Sequence, residues 1–299
     1  MMRCSARWTG LLLLGLACGS QEPPTQQTFE SQEAAVAALV AMIEQDDRSA
    51  VPGLFGPEYS DQFLTPDWDA NREIRLEIAR AIQEAHRFEP LEDGGALLVA
   101  GAENWPFPIP LAETPDNRWR FDTEEGIEVI IDRRVGRDEL SAIEITDAYV
   151  DAQIQYAKVD RDGDGVLEYA QRLASSDGKR DGLYWETGPD EAPSPFGPFV
   201  ESAESYLEHH KPGDPIRGYY FRILTKQGAN PPGGEYDYII NGNMIGGFGL
   251  VAYPAEFGSS GVMTFVVNHQ GHVLEKDIGP FSGMDAYDPD DSWKETEPE

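Results

Sequence analysis

Apolar residues first recur at helical spacing at Ala35, Val36, Leu39, Val40 and Ile43, with Ser31 placed to cap the segment. Ile74, Ile78, Ile82 and Ala85 form a second stripe and predict a helix over residues 69–88. Leu97, Leu98 and Val99 then read as a strand. The run Trp105-Pro106-Phe107-Pro108-Ile109-Pro110 is extended, because each proline holds the residue before it in β or polyproline geometry. Asp116-Asn117 marks a turn, and the residues from Arg118 to Asp122 alternate as a strand.

The longest helix is predicted over residues 137–159. Leu140, Ile143, Val150, Ile154 and Ala157 make one stripe, and Ala142, Ile145, Tyr149, Ala152 and Tyr156 make another. An apolar arc this wide belongs to a helix embraced by a sheet. Beyond Gly178 the pattern changes to strands, at 219–224, 236–240, 247–253, 262–267 and 273–276, with Asn241-Gly242 and Gln270-Gly271 as hairpin turns. The expected class is α+β. Helices with a small curved antiparallel sheet fill 29–136, a long helix on an antiparallel meander fills 137–284, and 285–299 read as a loose acidic tail. Two helices and a hairpin closing on a Trp-x-Phe strand resemble, in pattern, the cone of nuclear-transport-factor-2-like domains.

The start of the chain changes the picture. Arg3 and Arg7 precede the apolar run Leu11-Leu12-Leu13-Leu14-Gly15-Leu16, and Ala17-Cys18 follows, as in a secretory signal cleaved after residue 17. The run is too short to cross the roughly 30 Å hydrocarbon layer as a helix. Of the two cysteines, Cys4 would leave with the signal, so Cys18 alone would remain. Gly15-Leu16-Ala17-Cys18 resembles the bacterial lipobox, which implies lipid on Cys18, a tether over 18–28 and attachment to the membrane through that anchor. Gly19 and Ser20, with no aspartate beside the cysteine, point by the same resemblance to the outer membrane, facing the periplasm.

Charge narrows the partners. Acids outnumber bases by 54 to 23, a net −31 that deepens to −33 once Arg3 and Arg7 are removed. Nucleic acid is a poor partner for such a surface, and anionic headgroups would repel it.

Several long phrases are distinctive: Asn104 through Leu111, Ala148-Tyr149-Val150-Asp151-Ala152-Gln153, Lys179-Arg180-Asp181-Gly182-Leu183-Tyr184-Trp185 and Val251-Ala252-Tyr253-Pro254-Ala255-Glu256. Together with Asp160 through Gln171 and Gly261 through Asn268 they resemble the bacterial exported-protein family catalogued as domain of unknown function 2950, from about Phe29 to Trp293. That resemblance implies no particular activity. The second half is also similar to the heads of type IV pilins and type II secretion pseudopilins, in which a long helix lies on an antiparallel sheet.

The best chemical motif is Asp160-Arg161-Asp162-Gly163-Asp164-Gly165-Val166-Leu167-Glu168. Calcium takes about six to eight oxygens, and carboxylates at alternate positions before a turning glycine and a carbonyl supply them. Asp160, Asp162 and Asp164 fill the first places, Val166 the carbonyl position, and Glu168 the ninth. Gln171 stands where a sensor loop has a bidentate glutamate, which favours a structural ion. His209-His210 and His269-x-x-His272 are weaker metal candidates, and Gly258-Ser259-Ser260-Gly261 lacks the spacing of a hydrolase elbow. With no nucleophile in an activating motif, the expected function is a non-enzymatic binding or scaffold protein of the cell envelope. An envelope hydrolase, and an accessory part of a secretion or pilus-like machine with envelope protein partners, are the competing expectations.

Overall fold

Ser31 opens the first helix as its spacing requires. Its hydroxyl accepts the Ala34 N–H at 3.1 Å and satisfies one of the unpaired donors of helix α1, Gln32–Gln45. The helix stops at Asp46, which takes the left-handed conformation with φ 51°. The computed structural model describes residues 25–188, 191–202 and 214–296. Two short helices, α2 (Val51–Phe55) and α3 (Ser60–Phe63), lead to α4, Arg72–Glu84.

α4 is shorter than residues 69–88. The Gly101 N–H caps it by donating to the carbonyls of Ala81 and Ala85, and the chain turns at once into strand β1, His86–Pro90. The physical reason is β2, Ala96–Ala100, an almost wholly buried strand that needs an antiparallel partner along its length. β3 (Trp105–Pro106), β4 (Leu111–Glu113) and β5 (Trp119–Phe121) complete the sheet, in the order β1-β2-β4-β5 with β3 also on β2. Leu39, Leu54, Ile82, Leu98, Leu111 and Phe121 form the buried centre between this sheet and the helices.

Helix α5 runs for 34 residues, Thr123–Tyr156, so it begins well before residue 137 and passes through Gly136. Its first part belongs to the core just described. There Gly126 lies so close to the Pro108–Ile109 backbone that a Cβ would stand 2.5 Å from the Pro108 carbonyl oxygen. Its last part crosses a second sheet. Within that sheet β6 (Tyr219–Leu224), β11 (Gly249–Pro254), β12 (Thr264–Asn268), β13 (Leu274–Lys276) and β14 (Lys294–Glu295) lie in the order β14-β13-β12-β11-β6, all antiparallel. A short helix, α6 (Gly197–Ser202), precedes β6. Two small ladders sit beside the sheet, β7 (Lys226–Gln227) with β8 (Tyr236–Asp237), and β9 (Ile239–Ile240) with β10 (Asn243–Met244). Asn241 and Gly242 turn β9 into β10, both at positive φ, as an Asn-Gly hairpin demands.

The sheet is covered on both faces. Tyr149, Phe248, Leu250, Phe265 and Val267 pack under α5, while Leu224, Val251, Val266 and Tyr287 form a separate cluster opposite. That second cluster overturns the expectation of a loose tail. Tyr287 is buried, its N–H donates to the Lys226 carbonyl at 2.9 Å, and β14 adds an edge to the sheet. An uncovered apolar face would otherwise lie in water, and the end of the chain supplies its cover. No helix among the described residues is long and apolar enough to cross a membrane.

Candidate binding pocket and cation loop

Three of the five residues picked out for calcium come together. Asp160, Asp162 and Asp164 each present a carboxylate oxygen, and these oxygens lie within 4.8 Å of one another. Oxygens on opposite sides of a calcium ion stand at most about 5 Å apart, twice the ion–ligand distance, so the spacing suits that ion. The backbone shapes the cluster. Asp160 accepts the N–H groups of Gly163 at 2.7 Å and Gly165 at 2.9 Å, which holds its carboxyl below the ordinary range. Gly163 and Gly165 sit at φ 80° and 87°, where a side chain would be strained.

Glu168 turns elsewhere, accepting the Met244 N–H at 3.1 Å. Val166 donates its N–H to Asp164 at 2.8 Å, and Asp164 also accepts from the Asn243 amide at 2.7 Å. Gln171 reaches the Gly242 carbonyl at 2.7 Å. The loop is thus docked on the β9–β10 hairpin from several directions. Behind it, Gln153 of α5 uses both ends of its amide on one residue. It accepts the Ala170 N–H and donates to the Ala170 carbonyl, each at 2.8 Å, and also donates to the Tyr149 hydroxyl. A fully buried amide with all these partners fixes where the loop returns to the fold.

The histidines do not converge. His272 pairs with Glu295 at 2.6 Å, whereas His269 packs its ring against Tyr238 and Phe248, and burial lowers its pKa. Cys18 and His209-His210 lie outside the described residues.

A second site was not foreseen. Where α5 passes the first core, the packing leaves a cavity of about 260 Å³ walled by Leu39, Phe55, Trp68, Ile78 and Phe107. That is larger than the ~150 Å³ apolar cavity that takes up benzene and close to the ~300 Å³ at which small-molecule sites begin. Every charged residue lining it is an arginine: Arg75, Arg133, Arg134 and Arg137. The last three, with Ile130, fall at i, i+3, i+4 and i+7 on one face of α5, the spacing that normally carries apolar side chains.

These arginines are not equivalent. Arg75 pairs with Asp46 at 2.7 Å and stacks on the Trp68 ring at 3.8 Å, while the Trp68 indole N–H donates to the same Asp46 oxygen. Arg137 pairs with Asp138 at 2.9 Å. Arg133 lies over Trp105 and reaches the Pro106 carbonyl, and Arg134 donates to the Gln62 carbonyl. Neither of these two makes an ion pair with a carboxylate among the described residues, and burial pulls the Arg134 guanidinium below its ordinary pKa.

The phrases that carry the family resemblance are spread over both cores, from the Trp105–Pro110 run to β12. The chain matches the family described as a protein of unknown function (DUF2950) over residues 26–296. It belongs to that family. No curated protein and no solved structure matches it. In this family member the acidic loop and the arginine-lined cavity therefore lie on one helix, the cavity beside its first half and the loop just past its end. Asp138 stands between them, almost wholly buried against Gly218, and burial raises its carboxyl to about 6 despite the Arg137 guanidinium beside it.

Proposed function

We propose that the chain is a non-enzymatic binding protein of the bacterial envelope, exported, cleaved before Cys18 and tethered by lipid to the periplasmic face of the outer membrane. The cavity beside α5 is its ligand site, and the Asp160–Asp162–Asp164 loop is a structural calcium site. The observation that carries the reading is the cavity itself. A largely apolar pocket of about 260 Å³ that opens to solvent between helices and the first sheet is a place for a ligand. Its lining offers aromatic, aliphatic and arginine side chains, which bind and orient. Calcium, when bound, would neutralise three carboxylates that otherwise repel one another at the end of α5.

Native mass spectrometry of protein gently released from envelopes tests the binding reading. A small molecule should travel with the wild type and be lost from Ile130→Trp, which fills the cavity from the helix side. Two bare proteins would count against it. Calorimetry tests the loop: calcium should give heat with the wild type and none with Asp162→Ala, and equal traces would remove the ion from the proposal.

A further inference from the structure

The cavity is apolar inside and cationic along one wall, in a protein where cations are scarce. Acids outnumber bases by 54 to 23, yet no acid among the described residues lines this space. Three of its arginines project from one face of α5 within little more than one turn, and like charges at that spacing repel. Two of the three, Arg133 and Arg134, make no ion pair with a carboxylate among the described residues; Asp138, Glu256 and Asp67 act on Arg134 only from farther off, on the side away from the hollow, although that guanidinium is largely withdrawn from water. Burial still outweighs those distant carboxylates, so the charge remains costly to hold there. An anion arriving from outside would relieve that cost and accept charge-assisted hydrogen bonds from a planar donor suited to carboxylate or phosphate.

From this pairing of a hollow with an unmatched arginine wall we infer that the ligand is a single-chain amphiphile with an anionic head. The tail occupies the space between Leu39, Phe55 and Phe107, and the head lies against Arg134 and Arg133. A cavity between the sizes that hold benzene and a drug-sized molecule fits a medium chain of about eight to ten carbons. Arg75 is not a head-group ligand, since Asp46 and the Trp68 carbonyl already hold it. With Trp68 stacked against it, that cluster forms a fixed part of the wall. The inference rests on the reading of the hollow as a ligand site. The bland alternative is that the arginine stems merely cover apolar surface while their heads reach water.

Decanoate, decyl phosphate and decanol, below micellar concentrations, separate these cases by calorimetry on residues 18–299 carrying Cys18→Ser, which leaves no attached lipid to compete. Decanoate or decyl phosphate should bind at least about tenfold more tightly than decanol, and which acid wins tells a fatty-acid head from a phospholipid-type head. Arg134→Gln should bring the acids to within about threefold of decanol while leaving decanol unchanged, and the exposed Arg133→Gln should do the same in part. Equal binding of acid and alcohol by the wild type would leave the ligand site standing and overturn the anionic head. An Arg134→Gln protein that weakens all three ligands alike would also overturn it, because that is the mark of a structural arginine. No binding of any of the three would overturn both readings.

Discussion

Along one continuous helix, Ile130, Arg133, Arg134 and Arg137 face a hollow and residues from Ala142 to Tyr156 face a filled core. The two halves draw on the same kinds of side chain but handle buried polarity in opposite ways. In the second half Tyr149 and Gln153 are buried with hydrogen-bond partners supplied by the chain itself, Gly249 and Ala170. In the first half Arg134 is partly buried with the Gln62 carbonyl as its hydrogen-bond partner and no ion pair among the described residues. Closed networks of this kind make a core unique and rigid. An arginine with no ion pair and a hollow in the packing meet beside the first half of α5.

The largest effect should come from opening the closed network. Gln153→Leu leaves the N–H and carbonyl of Ala170 without partners in a buried place, at about 1–3 kcal/mol for each group. Urea unfolding should therefore show a loss of about 4 kcal/mol, and a loss under 1 kcal/mol would remove the contrast between the halves. The junction between them comes next. In the folded protein Asp138 titrates near 6, against an ordinary 3.8. The folded state thus keeps a proton that the unfolded chain has already released, so this group's contribution to stability falls as pH rises from about 4 to 6. Linkage sets the loss at up to about 3 kcal/mol. Asp138→Asn should be less sensitive to pH than the wild type by about that amount, and parallel stability curves from pH 4 to 7 would show that Asp138 carries no such linkage. The smallest effect lies at two glycines of α5. Nothing stands within 4 Å of a Cβ at Gly136, so Gly136→Ala should raise stability by about 1 kcal/mol. Gly126→Ala should lower it by about 1–3 kcal/mol, because the Pro108–Ile109 backbone occupies that space. Melting curves that move together would show that the two positions, both in the first half of the helix, are equally open.

Much of the architecture could be read from residue order because local and global preferences agree there. Ser31 caps α1, β6 spans the residues of its apolar run, and Asn241-Gly242 turns its hairpin. The start of α5 could not be read in the same way. Arg133, Arg134 and Arg137 occupy the positions where an apolar stripe would have announced the helix, and Gly126 and Gly136 lower its propensity. The same three arginines conceal the cavity, since hydrophobic periodicity searches for apolar residues at those positions. A repeat of arginine at i, i+1 and i+4 within an acidic chain was the available signal. Of the loop residues, alternation alone brings Asp160, Asp162 and Asp164 together. Glu168 is claimed by a backbone N–H on a hairpin distant in sequence, which no local pattern reveals.

The stitching at the start of the described chain sets a working distance. The Gln26 side chain donates to the carbonyls of Leu54 and Phe121, the Gln27 N–H to Gly53 and the Phe29 N–H to Trp119, so residue 26 is pinned next to Leu54, the neighbour of Phe55 in the cavity wall. Gln26 lies eight positions after Cys18, and at about 3.5 Å per step the stretch reaches no more than about 28 Å. If lipid is attached at Cys18, the protein is on a leash shorter than its own diameter. A molecule so tethered can turn and tilt over a small disc of membrane, but it cannot carry residue 26 far from the bilayer.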